Sequence, residues 1–490
     1  MRLFRAGIVL SALMGPAVAQ AQAVPPRAVD PASAAALQTE IRSWMTWLIG
    51  PPAQESPLRV MVEDNHFRVA LALDSLLGLT KAEASVALRP LEDGRWSIDR
   101  LVLPNGGRVS SMSSDKSRTP SGFAFSVGTQ DARATIDPAL KSRSSAEFEL
   151  RDVEIKVDDP SGSQEQSFER YAGQGTLTPG ADGKLDLRVE GSVGGWHTIA
   201  TTNDGQRVAM EIRRTRATAR LDGLSRPRIE EIAAIGQRGG ASQPKNSDAY
   251  RTDLQAALTA FLDLFSRLEL EQSVDDLSIE IPGIGEVSLE EMRTGMGLEI
   301  QGGLLRAWID MAIEGVEIPG LPKELASLVP SKLSMRPVIA GINRDKLARL
   351  ITDNTTNAKD SKAIEAASLA LFTADGAFLG VEALTLELDP LRLSGSARLR
   401  LTPSGKGSVE GQLSSTGLDD LIAEARKKPE LRDVMPIAIM LRGLARIEGP
   451  RMTWAFTASE DQVIVNGVDL ATMAGNGKQG AQPPAKGNKR

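Results

Sequence analysis

The sequence predicts an α+β, β-rich fold of long, mostly antiparallel curved sheets (meanders) with a few amphipathic helices packed on them. Three observations predict it. Residues 384–423 hold three runs of strict alternation: Leu384, Leu386 and Leu388, then Ala397, Leu399 and Leu401, then Val409 and Leu413. Period two gives each run one apolar face and one wet face, and the turns between the runs make a meander. Similar short alternating runs recur along most of the chain, punctuated by Gly, Asn and Asp. Helical spacing is confined to a few segments.

The elements follow in order. Arg2 and Arg5 precede a short apolar stretch at 6–14, a Gly15-Pro16 break and small residues at Ala17, Ala19, Ala21 and Ala23. That is the pattern of a cleaved secretory signal peptide, residues 1–23, with cleavage after Ala19, Ala21 or Ala23. A retained anchor needs about 20 apolar residues, and this run is shorter. The expected destination is a bacterial periplasm, with no stable transmembrane segment after cleavage. Pro31–Ile49 reads as the first helix, with Leu37, Ile41, Trp44, Met45 and Leu48 at helical spacing. Strands are expected at 58–62, 67–73, 84–88 and 95–103, then a Ser-rich loop at 108–120. A pair at 123–127 and 132–136 follows. The long strand at 146–157 slips phase near Arg151-Asp152, which suggests a bulge. Short strands continue at 175–178, 185–189, 198–202 and 208–212, with Gly/Asn/Asp turns between them.

Residues 24–237 therefore read as an N-terminal β-rich domain with a leading helix. Residues 238–247, polar and Gly/Pro-bearing, read as a linker. Residues 248–474 read as a C-terminal α+β domain. It starts with a helix from Ser247-Asp248 striped by Leu254, Leu258, Phe261, Phe265 and Leu268. Strands at 277–281, 297–301 and 304–313 follow, then a helix capped by Asn343 and another at Ser361–Phe372. After the meander come a helix at 418–426 and strands at 444–448, 452–457 and 462–466. Residues 475–490, Gly/Pro/Lys-rich, read as a disordered tail. Both halves run helix first, then strands. A degenerate duplication fits that order, and so does any β-rich chain with a linking helix.

Composition excludes several functions. The chain has 490 residues, a formal net charge of −6 and no cysteine. Disulfides are excluded, and an acidic body without a basic run is a poor nucleic-acid binder. Aromatics make up 4% of residues, with two tyrosines, which argues against a stacking platform for sugars or single strands. No catalytic, cofactor or metal motif stands out. His66 sits in a Glu63-Asp64-Asn65-His66 turn, and His197 follows Trp196 at a strand start. With two histidines and no cysteine, a zinc site would need mainly carboxylates. Ser113-Ser114-Asp115-Lys116 matches Ser-x-x-Lys only formally, inside a polar loop without a Lys-Thr-Gly partner. Asp419-Asp420 falls in the first turn of an expected helix, where acids suit the dipole.

The strand grammar of 384–422, with its Leu-Asp-Asp-Leu-Ile helix at 418–422, resembles the AsmA-like and YdgA-like groups of bacterial envelope proteins. So do the Lys-Leu-Ala-Arg-Leu-Ile pattern ending 333–351 and the closing Gln462-Val463-Ile464-Val465-Asn466-Gly467. The resemblance covers roughly 331–467 and carries no catalytic motif. It implies an envelope role and, for the AsmA-like group, lipid handling or outer-membrane assembly. Those groups keep an N-terminal anchor, whereas cleavage is expected here. Three functions follow as expectations. The first is a non-catalytic lipid-binding protein using an aliphatic sheet groove made by Leu384, Leu386, Leu388, Leu399, Leu401 and Leu413. The second is an assembly factor pairing with envelope proteins through sheet edges. The third is a hydrolase with an unrecognised site. The deciding question is whether protein covers the leucine face.

Overall fold

The computed structural model describes residues 28–49, 58–72, 83–111, 121–137, 141–159, 162–239, 247–322, 326, 329–356, 361–373, 376–402, 404–427, 435–460 and 462–470. The expected signal peptide, the Ser113 motif, most of the expected linker and the C-terminal tail lie outside these residues. The fold is the expected β-rich α+β type, and every strand pairing is antiparallel. The chain divides into two compact units, residues 1–300 with 317–320, and residues 301–316 with 321–490.

Unit 1 opens with helix α1 (Pro31–Ile49). Its Ala34, Leu37 and Ile41 pack on the fully buried Phe67. Gln38 Oε1 accepts from the Val60 amide at 3.0 Å, which satisfies a donor on a neighbouring strand. The strands are β1 (Leu58–Glu63), β2 (His66–Ala72), β3 (Glu83–Pro90), β4 (Trp96–Val102), β5 (Gly106–Ser111), β6 (Ser121–Ile136), β7 (Ser144–Asp159), β8 (Gly162–Pro179), β9 (Leu185–Thr202), β10 (Arg207–Leu224), β11 (Arg267–Ile281) and β12 (Gly285–Gln301). Each pairs with the next, except that β4 pairs with the C-terminal part of β6 and β5 with its N-terminal part. Leu58, Val69, Leu71, Val86, Ile98 and Leu101 of β1–β4 pack against Val127, Leu150 and Val153 of β6 and β7. Burying one such side chain contributes about 1.5–3 kcal/mol. Helices α2 (Arg226–Gly239) and α3 (Asp248–Leu262) pack on each other between β10 and β11. Ser247 Oγ caps α3 by accepting from the Tyr250 amide at 3.1 Å.

Four expectations need correction. The helix opening at Asp248 ends at Leu262, so Phe265 and Leu268 of the expected stripe lie beyond it, Leu268 on β11. The expected loop at 108–120 begins as strand β5, because Gly106–Ser111 pairs with residues 121–126. The expected strand pair at 123–127 and 132–136 is one sixteen-residue strand, β6. The expected linker does not separate the compact units. Strands β10 and β11, on its two sides, pair from Ala209↔Glu280 to Asp222↔Arg267 within unit 1.

The phase slip at Arg151-Asp152 is present, but it is not a one-sided bulge. Val127 pairs Val153 and Thr129 pairs Arg151, so Gly128 and Asp152 stand opposite each other without a register change. The same skipped position recurs in every following pairing through β12, placing Gly128, Asp152, Glu169, Gly195, Arg213, Asp276 and Glu290 in one line. Asp152, Gly195 and Asp276, on alternate strands, have φ of 51°, 58° and 50°. A left-handed residue inside a strand reverses which parity faces the core. In β7, Leu150 and Val153 are both buried. So are Val127 and Ala132 in β6, and Ile212 and Thr215 in β10.

Unit 2 contains β13 (Leu304–Glu317), β14 (Lys332–Asn343), α4 (Arg344–Thr356), α5 (Ser361–Phe372), β15 (Phe378–Leu388), β16 (Leu391–Leu401), β17 (Gly407–Thr416), α6 (Leu418–Ala425), α7 (Met435–Leu444), β18 (Arg446–Glu448), β19 (Arg451–Ala458), β20 (Val463–Val465) and β21 (Val468–Asp469). Asn343 Oδ1 accepts from the Lys346 amide at 3.0 Å, the expected cap. A Cβ on Gly341 would lie 2.2 Å from the Gly376 carbonyl oxygen, and its φ is +75°, so this position requires glycine. Val338, Ala340 and Ile342 are buried on one face of β14, the face that α4 and α5 contact. Helices α6 and α7 cover the opposite sheet face at one end, burying Leu418, Ile422, Met452 and Trp454.

Candidate functional site

The six leucines expected to form an apolar groove lie in unit 2, and register puts them on one sheet face. Leu333 pairs Leu386, which pairs Leu393. Met335 pairs Leu384, which pairs Gly395, then Leu413 and Trp454. Ile339 pairs Leu379, then Leu399, Val409 and Ala458. Leu388 pairs Leu391, and Leu401 pairs Gly407. Strand β13 adds Met311 and Ile313 to the same face. In these rows every side chain is Gly, Ala, Leu, Ile, Val, Met or Trp, except that Leu393 pairs onward with Ser415. The reverse face carries the charges: Asp310 with Arg336, Glu314 with Lys332, and Arg400 with Glu410.

All six leucines are half-buried. Leu413 packs against the α6–α7 cluster. Leu384, Leu386, Leu388, Leu399 and Leu401 belong to no buried cluster among the described residues. Met311, Leu333 and Ile339 on the same face are exposed. Among the described residues, the α6–α7 cluster covers the end of this face at Leu391, Leu413 and Trp454, and neighbouring aliphatic side chains shield one another over the remainder.

Unit 1 carries a second apolar sheet face, buried at Leu177, Val153 and Ile212, which alternation read strand by strand does not reveal. One row runs Ala146, Gly175, Val189, Ala219, Leu270 and Met296. The next runs Ser144, Leu177, Leu187, Leu221, Leu268 and Leu298. Beyond the line of reversal, a third runs Val153, Phe168, Trp196, Ile212, Leu277 and Leu289. No Asp, Glu, Lys or Arg occurs in these rows. Val189, Leu270 and Met296 are exposed. The reversal places odd and even residues of one strand on the same face, so the apolar surface continues across the line. The signal available in the sequence was the parity change in each strand, centred on a Gly or Asp in β6, β7, β9 and β11 and on Glu169, Arg213 and Glu290 in the others.

The polar face of unit 1 holds a groove of about 570 Å³ lined by Asp131, Glu147, Glu149, Arg170, Gln174, Glu190 and Arg216 among others. Three of its carboxylates, Asp131, Glu149 and Glu190, have polar partners. Glu149 accepts from Arg170 Nη2 at 2.7 Å and from Arg151 Nε at 2.5 Å. These hydrogen bonds, Arg170's first, hold its carboxyl below the usual glutamate range. A general acid needs the opposite shift. Glu190 accepts from Gln174 at 2.8 Å. The histidines sit beside acids: His66 Nε2 is 3.6 Å from Glu63, and His197 Nδ1 is 3.1 Å from Glu211. Among the described residues no group of three His, Asp or Glu side chains is placed to hold a metal, and no helix is long and apolar enough to cross a membrane. Asp419 and Asp420 occupy the first turn of α6, and Asp419 accepts from Arg442 Nε.

The chain matches no family model, no curated protein and no solved structure.

Proposed function

We propose that this protein binds lipid, holding acyl chains against the aliphatic sheet faces of its units. One observation carries the reading. On the unit 2 face, the rows through Leu333, Leu384 and Leu399 hold no charged side chain over four or more strands, yet Leu384, Leu386 and Leu399 stay half-buried and Leu333 is exposed. A folded core would cover such a face, because exposed aliphatic area costs about 25 cal/mol per Å². An acyl chain supplies the missing cover without asking for a hydrogen bond. The same logic applies to the row of Val189, Leu270 and Met296 in unit 1. Away from Val338, Ala340 and Trp308, which are buried, the reverse face of the unit 2 sheet carries ion pairs such as Asp310 with Arg336 and Arg400 with Glu410. The resemblance to AsmA-like and YdgA-like envelope proteins and the leader-like residues 1–23 agree with a periplasmic setting for this binding, which is non-catalytic.

Native mass spectrometry after gentle purification tests it. The expected result is a population heavier than the chain by one or more lipid masses, reduced by Leu386→Asp with Leu399→Asp. A chain that carries no lipid after purification and after incubation with phospholipid refutes the proposal.

A further inference from the structure

Two neighbouring rows on the polar face of unit 1 frame its groove. One runs Asp131, Glu149, Ala172, Ser192 and Arg216 across β6–β10. The other, two residues along the strands, runs Glu147, Gln174, Glu190 and Thr218 across β7–β10. The groove of about 570 Å³ lies over the short side chains Ala172 and Ser192, with longer polar side chains as its rim. Most charges on that rim are paired. Arg170 bonds Glu149, Arg133 lies 3.4 Å from Asp131, and Glu190 accepts from Gln174. Two are not. Glu147 stands opposite Arg133 in register, but Arg133 turns to Asp131. Arg216 stands opposite Ser192 and diagonal to Glu190, whose carboxylate is held by Gln174. Among the described residues, neither Glu147 nor Arg216 has a hydrogen-bond or ion-pair partner. The two lie on β7 and β10, three strand spacings or about 14 Å apart at the backbone.

We propose that this groove binds a free peptide of two or three residues as a zwitterion. The peptide's C-terminal carboxylate docks on the forked donors of Arg216 and on the Ser192 hydroxyl, and its N-terminal ammonium docks on Glu147. The charges select this class. A dicarboxylate leaves Glu147 unanswered, and a polyamine leaves Arg216 unanswered. A single amino acid carries both charges on one carbon and does not span the groove, whereas each further residue adds about 3.3–3.6 Å. A sugar or nucleobase wants an aromatic platform, but Phe148 belongs to the intervening row with Gly173, Gly191 and Ala217, which points to the opposite face. The volume falls within the range of about 300–1,000 Å³ usual for small-molecule sites. The groove and the apolar rows occupy opposite faces of the sheet, so the proposal stands whether or not lipid binds.

Equilibrium dialysis of the full chain against trialanine should show saturable binding below about 10 mM. N-acetyl-trialanine and trialanine amide, each lacking one terminal charge, should bind at least about fivefold more weakly, and free alanine should also bind more weakly than trialanine. Arg216→Gln should bind trialanine and its amide alike, because it removes the group that reads the C-terminus. Glu147→Gln should likewise bind trialanine and its N-acetyl form alike. Both side chains are exposed, so circular dichroism should be unchanged in either variant. The proposal is overturned by absence of saturable binding at about 10 mM, or by blocked peptides or alanine binding as tightly as trialanine. A variant that still distinguishes the terminus assigned to its missing charge also overturns it.

Discussion

Replacing Gly195 by alanine isolates the cost of the line of reversal in unit 1. Gly195 has a φ of +58°, and a Cβ built there would lie 2.4 Å from Cγ and Cδ of Glu169. Two penalties therefore add. A left-handed conformation costs an L-residue about 1–2 kcal/mol relative to glycine. The collision involves the far end of an exposed, flexible side chain, which can swing aside for about 0.5–1 kcal/mol of rotamer adjustment. The expected loss is about 1.5–3 kcal/mol, read as a lower urea midpoint with unchanged slope. Gly195→Ala with Glu169→Ala removes the collision and should retain the larger, backbone share. Gly195→Asn should lose less than Gly195→Ala, because Asn tolerates this region, as Asp152 and Asp276 do at φ of 51° and 50°. An alanine variant within about 0.3 kcal/mol of the parent, or Asn as damaging as Ala, would refute the reasoning.

Three further outcomes are expected. Leu386→Ala, on the half-covered face, should cost under about 1.5 kcal/mol, while Leu418→Ala, in the α6–α7 cluster, should cost about 2–4 kcal/mol; thermal unfolding of the two would expose a reversed order. Glu149 is held below its unfolded pKa, so its contribution is present above the ordinary glutamate range and fades as pH falls through that range toward the folded value. The stability difference between parent and Glu149→Gln should therefore shrink on acidification, and a difference that widens toward low pH contradicts the assignment. Trp454→Phe removes the donor to the Leu441 carbonyl and should cost about 1 kcal/mol beyond the change in buried area, measured by chemical unfolding.

Unit 2 was legible because its strands keep one parity from turn to turn. Leu384, Leu386, Leu399, Leu401 and Leu413 were assigned to one face, and register places them there. Local chemistry was legible as well: Ser247 and Asn343 cap the helices they precede. The length of the unit 1 strands was not. Each changes parity at the line of reversal, so an eighteen-residue strand such as β9 reads as two short runs, 185–189 and 198–202. Residues 123–127 and 132–136 read as a pair of strands for the same reason, because β6 changes parity at Gly128. Helix α7 escaped because Ile, Met and Leu on most sides leave no polar period to detect. Helix α2 carries Ile229, Ile232 and Ile235 at three-residue spacing, a stripe of two turns that runs directly into the Gly-bearing segment read as a linker. The apolar face of unit 1 is a property of cross-strand rows, and no single strand displays it.

The line of reversal also sets what kind of sequence drift this unit can absorb. Aliphatic residues on its rows can exchange freely, since neither charge nor hydrogen bonding ties them to a neighbour. Strand length cannot drift. One residue inserted or deleted between Gly195 and either turn of β9 would exchange the two faces from that point to the turn, moving the apolar set onto the charged face against two partner strands whose own reversals stay in place. Variation in this unit should thus be rich in substitutions within strands, with gaps confined to the turns.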